Sequence, residues 1–263
     1  MQIMSLFKTV KVKEVRKETE DAVSVAFNVD IVSSPEFEYK AGQYVTIKKL
    51  INGEDVRRSY SLSSSPTEND FRIAVKKIDG GKMSTFLNDN LKEGEELEIM
   101  TPTGNFSLVP ENDKHYIGFC AGSGITPIIS MVKSVLSNTN SQYTLFYGNK
   151  TESSAIFRAE LEQLVSQNSD RLKIIYIYSQ QKCENKLSEG RLSKEKFEEF
   201  VRVDSRLLEA DGFYLCGPEQ MITEISERLD YLGINKNKVH FELFTTPTKD
   251  SESGDAPENE FNG

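Results

Sequence analysis

The densest chemistry-bearing pattern in the chain lies near its middle, in Ile117-Gly118-Phe119-Cys120-Ala121-Gly122-Ser123-Gly124-Ile125-Thr126-Pro127-Ile128-Ile129. An apolar run enters a tight Gly122-Ser123-Gly124 turn. Beyond it Ile125, Ile128, Ile129, Val132, Val135 and Leu136 recur at the spacing of one helix face. Strand, glycine turn and helix together form a cradle for a dinucleotide pyrophosphate. Glycine lets the backbone approach the phosphates, and the N–H groups at the helix start carry positive dipole charge. Pro127 suits a first helical turn, where its missing N–H costs nothing. Ser123 is not a hydrolase nucleophile: that elbow needs glycine at 121 and 125, where Ala121 and Ile125 stand.

Three weaker patterns precede it. In Arg57-Arg58-Ser59-Tyr60-Ser61-Leu62-Ser63-Ser64-Ser65-Pro66, an Arg fork suited to phosphate stands two residues from a Tyr ring that can cover a flat ligand. That spacing puts Arg58 and Tyr60 on one face of a strand. Taken alone, the run fits an ordinary serine-rich strand with an exposed charge better. Val75-Lys76-Lys77, then Gly80-Gly81-Lys82-Met83-Ser84, is a glycine turn entering a helix with a hydroxyl at hand. It reads equally as a phosphate cradle or as a hairpin turn before a capped helix. Pro102-Thr103-Gly104-Asn105 by itself is a turn.

The elements that must position these residues come in two rhythms. Residues 8 to 108 read as short strands of period two, at Val10–Val15, Val23–Val29, Gln43–Leu50, Ser59–Ser63, Phe71–Lys77 and Glu95–Met100. Close turns separate them, which predicts an antiparallel barrel or sandwich, with a short helix at Lys82–Asn90. From His115 strands at 115–121, 142–147, 172–178 and 212–216 alternate with helices at 125–137, 154–167, 193–202 and 218–232, and a strand at 239–244 closes the series. Alternation of this kind predicts a parallel, doubly wound sheet. The boundary is placed at 110/111, in Pro110-Glu111-Asn112-Asp113, and 245–263 reads as a disordered acidic tail or linker.

Composition narrows the classes. A chain of 263 residues with 37% apolar content supports two ordinary globular domains. A net charge of -9 argues against a nucleic-acid binder, which needs a basic face. No stretch approaches the roughly twenty apolar residues of a membrane span, and the N-terminus is too short in its apolar part for a signal peptide. Three widely spaced cysteines, Cys120, Cys183 and Cys216, suit a reducing, cytoplasmic setting and cannot alone hold a structural zinc or an iron–sulfur cluster. His115 and His240 are too few and too far apart for a metal site, so none is expected. Tyr143, Phe146, Tyr147, Tyr176 and Tyr178 read as core residues.

In order, Arg58-x-Tyr60-Ser61, Gly81-x-Met83-Ser84, Gly122 to Pro127, Tyr147-Gly148-Asn149 and Cys216-Gly217-Pro218 resemble the ferredoxin–NADP⁺ reductase superfamily over roughly residues 6 to 244. Each motif is weak; five in sequence are specific. Within the superfamily the chain looks most like oxygenase-type reductases of the phenylacetyl-CoA epoxidase kind, which usually carry a plant-type [2Fe–2S] domain after the nucleotide domain. The resemblance implies a six-stranded antiparallel FAD-binding barrel followed by the NAD(P)-binding sheet. It assigns Arg58 to the FAD pyrophosphate, Tyr60 to the isoalloxazine face and Ser61 to the flavin edge near N5. Val75 and Lys76, with Gly81, Met83 and Ser84, would line the flavin side, the last three holding pyrophosphate through backbone amides and the Ser84 hydroxyl. Gly122, Ser123, Gly124 and Thr126 would receive the NAD(P)H pyrophosphate. Cys216, Gly217 and Pro218 would face the nicotinamide, and Glu242 and Phe244 would lie near the ring, with Cys216, Ser61 and Glu242 the catalytic set.

For the coenzyme, Ser179 stands where NADPH-dependent relatives show Ser-Arg, but the Arg is missing. Lys182 follows late, Arg191 offers a substitute, and no Asp or Glu stands there to reject a 2′-phosphate. NADPH is expected, with NADH the alternative. The implied acceptor is a [2Fe–2S] ferredoxin domain or protein serving an oxygenase component. No cysteine follows Phe244, so a cluster must be held elsewhere, and truncation inside a linker is the expected explanation. A free-standing ferredoxin or flavodoxin reductase and a non-catalytic FAD/NAD(P)-binding regulatory module are the alternatives.

Overall fold

The computed structural model describes residues 6–244, so the expected tail at 245–263 lies outside the described residues. The first part contains β1 (Phe7–Thr19), β2 (Ala22–Phe27), β3 (Tyr44–Ile51), β4 (Glu54–Ser61), β5 (Arg72–Lys76), α1 (Lys82–Asp89) and β6 (Glu96–Met100). Their alternating apolar residues turn inward, so Val10, Val12, Val23, Val25, Phe27, Val45, Ile47, Ile73 and Ile99 share one buried cluster. The sheet runs β4-β3-β6-β1-β2-β5, every pair antiparallel. Beyond β4, Leu62 bridges to Ile73, and the Ser63 N–H donates to the Arg72 carbonyl at 2.8 Å. That junction brings the two edges together and closes the expected six-stranded barrel.

The second part contains β7 (His115–Ala121), α2 (Ile125–Asn138), β8 (Gln142–Asn149), α3 (Arg158–Gln167), β9 (Leu172–Tyr178), α4 (Lys194–Val203), β10 (Gly212–Gly217), α5 (Glu219–Tyr231) and β11 (Val239–Leu243). All strands are parallel, in the order β11-β10-β7-β8-β9. The sheet is buried on both faces. Ile117, Phe119, Phe146, Phe213 and Leu215 pack with Phe197 of α4 and Ile222, Ile225 and Leu229 of α5. Cys120, Leu145, Tyr147 and Cys216 pack with α2 and Leu161 of α3 on the other face. This is the doubly wound architecture the alternation predicts, and the strand order reverses between β7 and β10.

Several boundaries shift by a few residues, and two of the larger shifts have plain local reasons. β4 begins at Glu54, five residues before the expected start, because Glu54, Asp55 and Arg57 face water while Val56 turns inward. A charged run hides that alternation. α3 begins at Arg158 rather than 154. Thr151 and Ser154 close a capping box around a short 3₁₀ turn, and buried Phe157, at φ 61°, takes a left-handed conformation that no helix interior accepts.

The barrel and the sheet share a core. Ala22, Ala41, Ala74, Phe106 and Leu108 from the barrel lie in the same apolar cluster as Ile125, Ile128, Met131 and Val132 of α2. α2 is therefore covered on two sides, and eleven of its fourteen residues are buried. It is the wall between the halves, and its N-terminus opens on the glycine turn. Among the described residues no helix is long and apolar enough to cross a membrane.

Candidate functional site

The switch point between β7 and β10 brings the Gly122–Gly124 turn beside the Cys216–Pro218 segment. Gly124 is required by proximity: a Cβ there would stand 2.1 Å from the Cys216 carbonyl oxygen. Gly122 is required by conformation, with φ at 55°, and a Cβ on it would meet nothing within 4 Å. The turn is thus pinned below and open above, which suits a phosphate approaching the first N–H groups of α2. The Thr126 hydroxyl donates to the Ser123 carbonyl at 3.1 Å, so its oxygen braces the turn. The buried Tyr147 hydroxyl donates to the Gly122 carbonyl at 3.2 Å and lies 3.3 Å from that of Ile156. Sequence reasoning placed Tyr147 in the core and missed this support, although Tyr147-Gly148-Asn149 was itself one of the motifs.

One register row crosses the whole sheet just below the turn: Glu242, Cys216, Cys120, Tyr147 and Tyr176 are successive partners on β11, β10, β7, β8 and β9. At its end stands the junction with the barrel. The Ser61 hydroxyl, buried at the end of β4, donates to Glu242 Oε2 at 3.4 Å across 181 residues of sequence. Burial pushes the Glu242 carboxyl from its ordinary 4.5 up to about 7, against the opposing pull of Ser61. A carboxyl poised near neutrality at the meeting of the two halves can hold or release a proton there. Phe244 follows at the strand end, 40% exposed, and His240 stacks on Tyr214 with ring centroids 4.9 Å apart.

On the barrel side Arg58 and Tyr60 share a face of β4. Arg57 forks onto Asp55, whereas Arg58 is exposed and donates to the Arg57 carbonyl, leaving most of its guanidinium donors for a ligand. Tyr60 is half-buried, and burial raises its phenol well above the ordinary range, so the ring is neutral. Gly81 opens α1, whose backbone N–H groups at Met83 and Ser84 belong to its first turn.

Four of the expected residues have side chains that are buried or already engaged within the protein. Cys216 is fully buried, and burial pushes its thiol far above the ordinary range, so it presents a neutral side chain beside the glycine turn. The Ser84 hydroxyl accepts from the Ile78 N–H and donates to the Gly81 carbonyl, so it braces its own turn. Val75 points into the barrel core at 1% exposure, and Lys76 pairs with Asp21 at 3.3 Å. At the far end Ser179, Lys182 and Arg191 are all exposed. Lys182 lines an open cleft of about 680 Å³ beside β9 with Tyr176, Tyr178 and Arg158, and the Gly190 N–H bond to the Tyr178 carbonyl brings Arg191 next to that strand end.

Two family profiles divide this architecture. An oxidoreductase FAD-binding domain matches residues 9–108, and an oxidoreductase NAD-binding domain matches residues 119–227. Over 249 residues the chain is 34% identical to a component of the 1,2-phenylacetyl-CoA epoxidase of Escherichia coli, covering 93% of this chain and 69% of that protein. The chain belongs to the ferredoxin reductase family of FAD- and NAD-binding oxidoreductases. It is also 31% identical to the ferredoxin reductase component of 3-ketosteroid-9-alpha-monooxygenase from Rhodococcus rhodochrous, covering 94% of this chain and 67% of that protein. The chain thus spans about two thirds of the length of both relatives. Among solved structures, the flavohem-like FAD/NAD-binding domain of nitric oxide dioxygenase from Vibrio cholerae superposes with a TM-score of 0.75 at 25% identity, over 90% of this chain and 98% of that one. The protein is accordingly an oxidoreductase with an FAD-binding and an NAD-binding half.

Proposed function

We propose that this member of the family takes reducing equivalents from NADPH or NADH onto FAD and delivers them singly to a [2Fe–2S] ferredoxin domain or protein that serves an oxygenase. The supporting observation is the Ser61–Glu242 contact, which joins the barrel to the switch point where a nicotinamide nucleotide would rest. When bound, FAD supplies the conversion of a two-electron hydride donor into single-electron steps. The chain's own residues hold, orient and exclude. Arg58 and the backbone of Gly81, Met83 and Ser84 would hold the flavin pyrophosphate, and Tyr60 would cover the ring. Gly122, Ser123, Gly124 and Thr126 would receive the nucleotide pyrophosphate, with Gly217 and Pro218 at the nicotinamide. Ser179, Lys182 and Arg191 would meet the adenosine end. Buried Cys216 would pack as a neutral wall that keeps water from the reacting atoms. The Glu242 carboxyl would hold a proton; donating it to Ser61 Oγ, in the reverse of the bond seen here, would free the Ser61 hydroxyl proton for the flavin edge, with Phe244 shielding the opening. Division of labour between residues 1–110 and 111–244 is part of this proposal.

The oxygenase assignment draws on the names of two relatives, an epoxidase component and a monooxygenase reductase component. Reconstitution with FAD followed by anaerobic titration with each nucleotide tests the core of it. Bleaching of the flavin band by NADPH or NADH, and reduction of a [2Fe–2S] ferredoxin by the loaded protein, are expected. A chain that retains no FAD, or whose flavin neither nucleotide bleaches, refutes the reading. Flavin that is reduced but passes nothing to any ferredoxin refutes only the acceptor.

A further inference from the structure

The chain does not stop at Ser61 when it leaves the flavin-facing strand. It continues as Leu62-Ser63-Ser64-Ser65-Pro66-Thr67-Glu68 and lies along α2. The Ser130 hydroxyl donates to the Ser64 carbonyl at 2.5 Å, the Ser134 and Ser65 hydroxyls meet at 3.0 Å, and the Ser137 and Thr67 hydroxyls meet at 3.4 Å. Residues 130, 134 and 137 are four and three apart, so they form one stripe of the helix. Ser64, Ser65, Ser130 and Ser134 are each no more than 2% exposed. Beside the stripe the buried Lys133 ammonium reaches Glu68 at 3.4 Å and Glu160 at 2.5 Å. The innermost rung is itself braced: Tyr39 Oη donates to the Ser64 carbonyl at 3.1 Å, and the Arg72 N–H donates to Ser64 Oγ at 3.0 Å.

Adhesion does not explain these serines. The apolar cluster around Ile128, Met131 and Phe106 already joins the halves, and a buried hydroxyl pair adds little net stability over an apolar pair of the same shape. What hydroxyls add is direction. Apolar surfaces attract without preferred orientation and tolerate sliding, whereas a hydrogen bond is lost once its atoms separate beyond about 3.5 Å. The rungs also join two particular ends. Ser61 stands three residues before Ser64, and the Gly122–Gly124 turn ends six residues before Ser130.

We propose that this hydroxyl ladder is a positioning element for the reaction. It sets the register of α2, and with it the nucleotide-binding turn, against the flavin-facing end of β4. Ser64, Ser65, Ser130 and Ser134 are its positioning residues; their role is to fix one separation between the two cofactor sites. The inference rests on the cofactor roles proposed above.

The test uses the full chain carrying Ser130→Ala, Ser134→Ala, and Ser65→Ala with Ser134→Ala, the last removing both hydroxyls of a rung; the Thr67 hydroxyl and N–H that Ser65 Oγ also meets belong to an exposed residue that water can satisfy. In cofactor-free protein, hydrogen–deuterium exchange should rise about tenfold in peptides covering 62–68 and 125–138 and stay at parent values in β8. With FAD bound, affinities for FAD and oxidised nucleotide should be unchanged. The single-turnover rate of flavin reduction at saturating nucleotide should fall ~10-fold or more, since a displacement near 1 Å can cost ~100-fold. The long-wavelength absorbance of the stacked nucleotide–flavin pair should weaken with it, giving a kcat effect at constant KM. Parent-like reduction rates, parent-like exchange, or a rate loss that only tracks lost FAD would each overturn the proposal. If the buried variants fail to fold, Thr67→Val with Ser137→Ala removes the exposed outer rung; a smaller loss in the same direction supports the ladder, and parent-like values overturn it. If the parent itself binds no FAD, the functional reading fails instead, and the exchange of cofactor-free protein still judges the ladder.

Discussion

Glu242 offers the sharpest test of the site's electrostatics. Below pH 4.5 its carboxyl is protonated in both the folded and the unfolded chain and contributes nothing to pH dependence. Between 4.5 and about 7 the unfolded chain releases the proton while the folded chain keeps it, so unfolding gains ground as the pH rises. Above about 7 the folded chain holds a buried carboxylate and the full penalty persists. At 1.36 kcal/mol per decade that penalty is about 3 kcal/mol, an upper limit because the carboxyl keeps some water contact. Glu242→Gln keeps the shape and an oxygen to accept from Ser61 but cannot ionise. Relative to the parent it should gain nothing at acid pH and up to about 3 kcal/mol at alkaline pH, or roughly 6–12 °C in Tm. Thermal melts of cofactor-free parent and variant from roughly pH 4 to 8 measure that difference directly. A constant Tm gap across the range would refute the claim that Glu242 titrates in a buried setting at this junction.

Other expectations are more local. Tyr60→Ala should weaken FAD retention by about tenfold through lost stacking area, while Tyr60→Phe should retain it; ultrafiltration of the reconstituted proteins distinguishes them. Gly124→Ala drives a methyl to 2.1 Å from the Cys216 carbonyl and should destabilise by about 1–3 kcal/mol and weaken nucleotide binding, whereas Gly122→Ala meets no atom and should cost only about 1–2 kcal/mol of left-handed backbone strain; a parent-like melt for Gly124→Ala would contradict the packing. Of the three thiols, Cys120 and Cys216 are buried and Cys183 is part-exposed, so a thiol reagent should label Cys183 in native protein and all three in denaturant. Rapid native labelling of Cys216 would contradict its burial beside the Gly122–Gly124 turn. Tyr147→Phe leaves the Gly122 carbonyl without its buried donor and should raise the nucleotide Kd about fivefold with FAD affinity unchanged, as titration of the loaded protein would read.

Much of the fold was legible because its periodicities are local. The period-two runs of β2 and the glycine turn before α2 carry their meaning within ten residues, and the parallel strands announce themselves as apolar runs between amphipathic helices. Charged residues on the water-exposed face of β4 hide its first half from the period-two pattern, and only φ at Phe157 reveals that α3 cannot run back through it. The site was less legible. Arg58, Tyr60 and Ser61 stand together in sequence, but the partner of Ser61 is Glu242, on a strand at the other end of the chain. The commitment of the Ser84 hydroxyl to its own turn, and of Thr126 to Ser123, depends on side-chain direction that composition does not carry. Nothing in the sequence marks out the serines of α2; which of them meets the strand exit depends on α2 lying wedged between barrel and sheet.

That wedge has a consequence for inheritance. An isolated barrel would leave Ala41, Phe106 and Leu108 wet, and an isolated sheet would uncover the apolar flank of α2. Neither half is a good candidate for independent survival, so a gene breakpoint between them would be purged as insoluble product. Breakpoints outside the pair leave the shared core untouched. The two halves should therefore fold and unfold as one unit, and a cut between them should cost both halves the core they share.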